Sequence, residues 1–244
     1  MIETLKMLDH AVLNWIHKYL SNPILDRVMP FITNEDNWIF LIIFLIIHLA
    51  VNLTSVFSED LFNELSHFMG TNPLIQFAMQ PILIFGVVFH FVMGFVLELR
   101  NKRARNVKYA KFNGAASASW MSRNMVYSGA AILAFIVLHF IDFWIPEINT
   151  KYFQGDMSGV LAGEDGYRYF TELQHKFANP LRVGAYVIAF ILLGLHLAHG
   201  FQSAFQSMGF NNKYTKCVKN LGTIYSIVIP LGFIFIALYH HFNH

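Results

Sequence analysis

Twelve histidines occur among the 244 residues, and five of them, His48, His90, His139, His196 and His199, stand inside long apolar stretches. An imidazole deep in hydrocarbon loses water as a partner for its ring nitrogens and costs free energy unless it finds another. Intramembrane histidines are therefore functional candidates from the outset. One histidine in each of four consecutive apolar stretches is more than interhelical hydrogen bonding alone explains. Neutral imidazole is a natural axial ligand for heme iron, so paired histidines on neighbouring helices are the arrangement to look for. Cys217 is the only cysteine, which excludes an intrachain disulfide and a multi-thiolate metal site, and any metal chemistry must lean on histidine.

The elements that carry these side chains follow from composition. The chain is 55% hydrophobic and only 13% charged, with a mean hydropathy of +0.45, which places it in a bilayer rather than in water. Charged residues are absent from 38–58, 72–96, 186–207 and 221–239. Each run is long enough, at about 1.5 Å per residue, to cross a hydrocarbon core of roughly 30 Å. A fifth run, 125–146, contains one acid, Asp142, close enough to its end to reach the interface. These stretches predict an all-α, polytopic membrane protein with a five-transmembrane-helix bundle over residues 37–244.

Residues 1–36 form a separate N-terminal segment. Leu8, Val12, Trp15, Ile16 and Leu20 recur at helical spacing, Ser21-Asn22-Pro23 breaks the pattern, and Ile24, Val28 and Phe31 resume it. Such an amphipathic stripe suits a helix on the membrane surface, or equally one packed against the bundle. The segment mixes acids and bases and lacks the layout of a secretory signal.

Orientation follows from the bases in short loops. Seven lie from Arg100 to Arg123, and Lys213, Lys216 and Lys219 lie in the last loop, with Glu98 the only acid in either connection. Both loops, with the N-terminus, are expected on the cytoplasmic side. The other two connections are richer in acids: Glu59, Asp60 and Glu64 in one, and a longer loop from Glu147 to Lys176 in the other. Both are expected to face outward.

Helix direction then fixes depth. His90 lies ten residues before Arg100, and His196 about a dozen before the cytoplasmic end of its helix, so both fall toward the inner half. His139 lies eight residues before Glu147 and His48 eleven before Glu59, roughly level with each other in the middle to outer half. Two pairs at two depths are predicted, His90 with His196 and His48 with His139, each able to clamp one heme. His199 is three residues from His196 on a neighbouring helix face, and spacing leaves the choice between them open. Gly86, Gly94 and Gly200 lie one turn from the inner-pair histidines and would clear space for a porphyrin. Arg100 and Arg123 are candidates for the propionates of the inner heme, or simply positive-inside residues, and Arg182 is a candidate for those of the outer heme. The terminal His240, His241 and His244 are read as a tail.

The same residues carry a family resemblance. Ile47-His-Leu-Ala-Val-Asn52, Ser66-His-Phe-Met-Gly-Thr-Asn-Pro-Leu-Ile75, Phe89-His-Phe-Val-Met-Gly94, Ala118-Ser-Trp-Met-Ser-Arg-Asn124, Leu138-His-Phe-Ile-Asp-Phe-Trp-Ile-Pro-Glu147 and Leu195-His-Leu-Ala-His-Gly200 resemble the cytochrome b anchor of succinate dehydrogenases and fumarate reductases. The likeness is to the branch with one five-helix polypeptide and two b hemes, in the form found in Bacteroidetes-type bacteria, and it covers roughly residue 40 to the end. It implies His196 rather than His199 as the fourth ligand and two heme b cofactors. It also implies menaquinone as the lipid-soluble partner, and a flavoprotein and an iron-sulfur subunit docked on the cytoplasmic face of a bacterial inner membrane. Related anchors use an acid near the outer start of the second helix, which implies Glu64, with His67 beside it, at a quinone site.

Residues 1–39 depart from that pattern. Leu8-Asp-His-Ala-Val-Leu-Asn-Trp-Ile-His17 and Asn22-Pro-Ile-Leu-Asp-Arg-Val-Met-Pro-Phe31 look more like the start of a type 2 phosphatidic acid phosphatase, although none of that family's later signatures follows. A lipid-phosphate phosphatase would need a phosphate-binding cluster of Arg, Lys, Ser and His that the sequence lacks. A proton-coupled transporter would call for acids or broken helices near the midplane. Nothing points to nucleic acid.

Overall fold

The computed structural model describes residues 37–103, 123–160, 166–207 and 215–243, so the predicted N-terminal stripe lies outside the described residues. Two compact units are distinguished, residues 1–44 and 45–244. Of the first, only 37–44, the opening turns of helix α1, are described. The chain is an all-α, polytopic membrane protein.

The order is α1 (Asn37–Thr54), α2 (Glu59–Thr71), a π turn (Ile75–Met79) running into α3 (Gln80–Arg103), and α4 (Met125–His139). A π turn (Phe140–Trp144), α5 (Ile145–Ile148) and another π turn (Asn149–Phe153) follow, then α6 (Tyr169–Phe177), α7 (Pro180–Ser207) and α8 (Thr215–Phe242). Four helical stretches, Ile75–Arg100, Met125–Phe153, Pro180–Phe201 and Thr215–Phe242, are long and apolar enough to cross a membrane. Over the first predicted span, helix α1 is 18 residues long, roughly 27 Å at about 1.5 Å per residue, and Leu41–Thr54 is its apolar stretch. The third span is longer than the sequence indicates, because two π turns carry the helix through Pro146 to Phe153. The acidic segment between the first two apolar runs is itself a helix, α2.

Two spans begin with the same device. Asn72 Oδ1 accepts from Leu74 N at 3.0 Å and Ile75 N at 3.3 Å, and Asn179 Oδ1 accepts from Leu181 N at 3.0 Å and Arg182 N at 3.3 Å. Pro73 and Pro180 follow at the position where a missing N–H costs nothing, so Asn-Pro satisfies the first turn and presets its backbone.

Buried apolar residues gather at the end of the bundle where α2 and α6 lie, hereafter the capped end. Phe62 and Phe177 from the cap join Val183, Tyr186 and Phe190 of α7 and Ile229, Phe233, Ile236 and Ala237 of α8 in one cluster. Small residues let the helices approach. A Cβ on Gly194 would stand 3.1 Å from the Ser226 carbonyl oxygen and 3.3 Å from Pro230 Cγ, and one on Gly232 would stand 2.8 Å from Leu49 Cδ1. Pro230 lacks the N–H that would bond the Ser226 carbonyl, so α7 closes over that freed oxygen with its glycine.

Gly194→Leu would force a side chain into the Ser226 carbonyl and the Pro230 ring. Overpacking of this kind costs about 1–3 kcal/mol, and the thermal unfolding midpoint of the detergent-solubilised protein is expected to fall. Gly184→Ala, inside the same helix where a Cβ meets nothing within 4 Å, should not lower the midpoint.

Candidate functional site

Four of the five span histidines meet in two pairs. His48 of α1 and His139 at the end of α4 have ring centroids 5.9 Å apart, and His90 of α3 and His196 of α7 have theirs 6.2 Å apart. Both ring pairs are crossed at 82°. The pairs lie at different depths. His139 abuts Tyr186 on α7 at 6.3 Å, and Tyr186 lies ten residues from His196, which is about 15 Å along the helix. The His48–His139 pair is nearer the capped end and the His90–His196 pair nearer the other.

These separations can be tested against the group the sequence implies. Two imidazoles on opposite sides of one metal ion, each with a nitrogen about 2 Å from it, place their ring centroids roughly 6 Å apart. Both pairs meet that requirement. Among the described residues no group of three or more His, Cys, Asp or Glu could hold a bare ion. A porphyrin brings its own equatorial nitrogens and asks the protein only for the two axial ones.

Hydrogen bonds bear on which nitrogen is available. Ser128 Oγ donates its one proton to the Met125 carbonyl at 2.9 Å and lies 3.1 Å from His196 Nδ1. It must therefore accept from Nδ1–H, which leaves the Nε2 lone pair of His196 for a metal. At the other pair, His139 Nδ1 is buried with no hydrogen-bond partner among the described residues. Asn52 Nδ2 donates to the His48 carbonyl at 2.8 Å and lies 3.4 Å from His48 Nδ1.

The surroundings differ. His48 and His139 sit among Phe135, Phe143, Tyr186 and Phe233, with ring centroids 5.2–6.3 Å away. His90 is exposed along α3, and a Cβ added at Gly86 or Gly94, one turn on either side, meets nothing within 4 Å. These two glycines do not bring helices together, unlike Gly194 and Gly232; they leave open space on the ligand face. Gly200 meets only Met125 Cε at 3.8 Å.

Of the arginines, Arg100 is exposed on α3 ten residues after His90, and Arg123 flanks the start of α4 five residues before Ser128. Both therefore lie toward the end of the bundle that the His90–His196 pair faces. Arg182 Nη1 is 3.0 Å from Asp142 Oδ1. Asp142, near the end of its apolar run, is 2% exposed, with Tyr186 Oη donating to its Oδ2 at 2.9 Å.

Glu64 is exposed on α2. His67 is packed into the cap, stacked on Tyr167 at 4.1 Å and 10°, with Tyr169 Oη 3.4 Å from its Nδ1. Gly159 adopts φ +68°, and a Cβ there would stand 2.8 Å from His67 Nδ1. Close by lies a charge cluster within the loop that the sequence places on the outer side. Glu147 binds Lys151 with one oxygen and Arg168 with the other, Tyr169 Oη donates to it at 3.3 Å, and Lys151 also donates to the Gly70 carbonyl. Lys151 is 1% exposed. Two polar ties join the second span to the third: Trp144 Nε1 donates to Gln80 Oε1 of α3 at 3.2 Å, and Tyr152 Oη to Gln76 Oε1 of the preceding π turn at 2.9 Å. The expected tail histidine His240 instead lies within α8, is fully buried, and has Nε2 2.8 Å from Ser55 Oγ.

The chain is similar to the succinate dehydrogenase cytochrome b558 subunit of Bacillus subtilis (strain 168). The two are 23% identical over 198 residues, which is 80% of this chain and 86% of that relative. This is a distant relationship to a succinate dehydrogenase cytochrome b. No family model and no solved structure matches the chain. The likeness of residues 1–39 to a lipid phosphatase finds no support in these comparisons.

Burial, followed by the cations Lys151 and Arg168, holds the His67 imidazolium pKa below its ordinary 6.5, with Glu147 opposing. As pH falls below about 6.5 the unfolded chain takes up a proton that folded His67 declines, so this residue lowers stability toward acid. Burial raises the Glu172 carboxyl, which acts in the opposite sense, so the variant isolates the histidine. Thermal midpoints measured at about pH 7.5 and about pH 5.5 should fall further with acid in the parent than in His67→Gln.

Proposed function

We propose that this chain is the membrane-anchoring cytochrome b subunit of a succinate dehydrogenase or fumarate reductase complex. In this reading it holds one heme b between His90 and His196 and a second between His48 and His139, and serves electron transfer between an iron-sulfur subunit and a quinone, menaquinone by family resemblance. The observation that carries the proposal is the pair of crossed imidazole contacts, 6.2 Å and 5.9 Å, set about 15 Å apart in depth. The distant similarity to a succinate dehydrogenase cytochrome b558 subunit supports the same reading.

When bound, the hemes supply one-electron carriers at two levels of the membrane; the chemistry on succinate or fumarate belongs to the flavoprotein partner. The protein's part is to seat and orient. Ser128 fixes the His196 ring with Nε2 free, and the aromatic side chains around His48 and His139 exclude water from that level. Arg100 and Arg123 are the candidates to receive the propionates of the first heme. Arg182, beyond its tie to Asp142, has further N–H groups for those of the second. The end of the bundle bearing Arg100 and Arg123 is the proposed cytoplasmic face, where the iron-sulfur and flavoprotein subunits dock on an inner membrane. The capped end, with Glu64 and His67, is the proposed quinone side.

A reduced-minus-oxidised visible spectrum of the purified chain, with heme quantified per polypeptide, tests this reading. Two hemes are expected in the parent and about one in each of His139→Ala and His196→Ala, with different spectral components lost. A correctly folded preparation without heme, or an unchanged heme content in both variants, would sink it.

A further inference from the structure

One charged group in the bundle interior has no place in the scheme above. Asp142 falls in the π turn that follows His139, three residues along the chain, and is 2% exposed. Its two oxygens are divided: Oδ1 faces Arg182 Nη1 at 3.0 Å, and Oδ2 accepts from Tyr186 Oη at 2.9 Å. Tyr186 is itself 2% exposed, and its ring touches those of His139, Phe135, Phe177 and Phe190. A cavity of about 300 Å³ lined by Asp142, Pro146, Thr171, Glu172, His175 and Lys176 reaches the same carboxylate from the cap.

An ionised carboxylate inside a span is costly, and a buried ion pair is at best a weak source of stability. A well-packed apolar residue would fill the site at less cost. What the pair provides is geometry and charge at one place: the carboxylate ties α7 to the turn that follows His139, holds the Tyr186 ring against the imidazole, and neutralises Arg182.

We propose that Asp142 is a positioning residue for the capped-end histidine pair, acting with Arg182 and Tyr186 to set the redox potential of the group held there. This rests on the reading of His48 and His139 as a heme site. The oxidised iron carries one more positive charge than the reduced iron, so an uncompensated cation nearby favours reduction and an uncompensated anion favours oxidation. In a low-dielectric interior such charges act strongly.

The test is a potentiometric titration of the purified heme-loaded protein followed by visible difference spectra. The capped-end component is identified as the one lost in His139→Ala. Asp142→Asn removes a negative charge and is expected to raise the midpoint of that component, whereas Arg182→Gln removes a positive charge and is expected to lower it. The other component should stay at the parent value in both, and the double variant should return the first toward the parent.

Opposite signs are the signature of charge, because a merely structural disturbance of the His139 seat would move the midpoint the same way in both variants. If one variant fails to accumulate, the sign of the other decides. A capped-end midpoint that does not move, moves the same way in both, or moves together with the other component overturns the proposal while leaving the heme reading intact. An unchanged heme content in His139→Ala overturns that reading and the proposal with it.

Discussion

A polar group inside a membrane-spanning bundle must find a partner within the protein, and this constraint organises the molecule around its imidazoles. Four of the five span histidines face one another in pairs across helix interfaces at about the separation a shared metal ion requires. Interhelical hydrogen bonding alone would not demand this arrangement, since a single serine or carbonyl satisfies a lone imidazole. Ser128 does satisfy one nitrogen of His196, and His196 still turns its ring toward His90. His139 keeps a buried Nδ1 without a partner among the described residues, which is hard to account for if the rings exist only to stitch helices together.

The capped end obeys the same rule with charges in place of imidazoles. Lys151 is buried, yet its ammonium meets Glu147 and the Gly70 carbonyl, and Glu147 in turn takes Arg168 and Tyr169. A buried cation that loses its carboxylate costs several kcal/mol, while the intact cluster costs little beyond the desolvation of its members. The cluster therefore contributes registry more than stability: it fixes the π turn at the end of the third span against α2 and α6. That turn is continuous with the helix carrying His139, so the order of the cap extends to the level of the capped-end pair.

What was legible in the sequence follows from the range of each interaction. Spans are written in uninterrupted apolar runs, and a constant rise per residue with alternating direction is enough to place His90 level with His196 and His48 level with His139. The pairing needed no knowledge of side-chain contacts. The π turns left no such mark, because one extra residue per turn changes no composition. Phe140–Trp144 and Asn149–Phe153 show as π turns only in the backbone. Glu147, Lys151 and Arg168 read only as members of an outward-facing loop, and their enclosure rests on contacts with Gly70 of α2 and Tyr169 of α6 that no local pattern marks. His240 read as tail because three of the last five residues are histidine, while its burial depends on Ser55, 185 positions away.

The two histidine pairs are not equivalent, and the difference is physical. The capped-end pair is enclosed by aromatic rings and has a compensated ion pair on the adjoining turn, whereas the other opens through His90 and the bare ligand face of α3 at Gly86 and Gly94. Burial, hydrogen bonding to the ligands and nearby charge are the levers by which a protein separates the potentials of chemically identical hemes. All three differ here: Ser128 holds one ligand, His139 Nδ1 has no hydrogen-bond partner among the described residues, and the capped-end level carries Asp142 and Arg182. On the proposed function, two identical cofactors placed in these surroundings would acquire distinct potentials without any difference in ligand type.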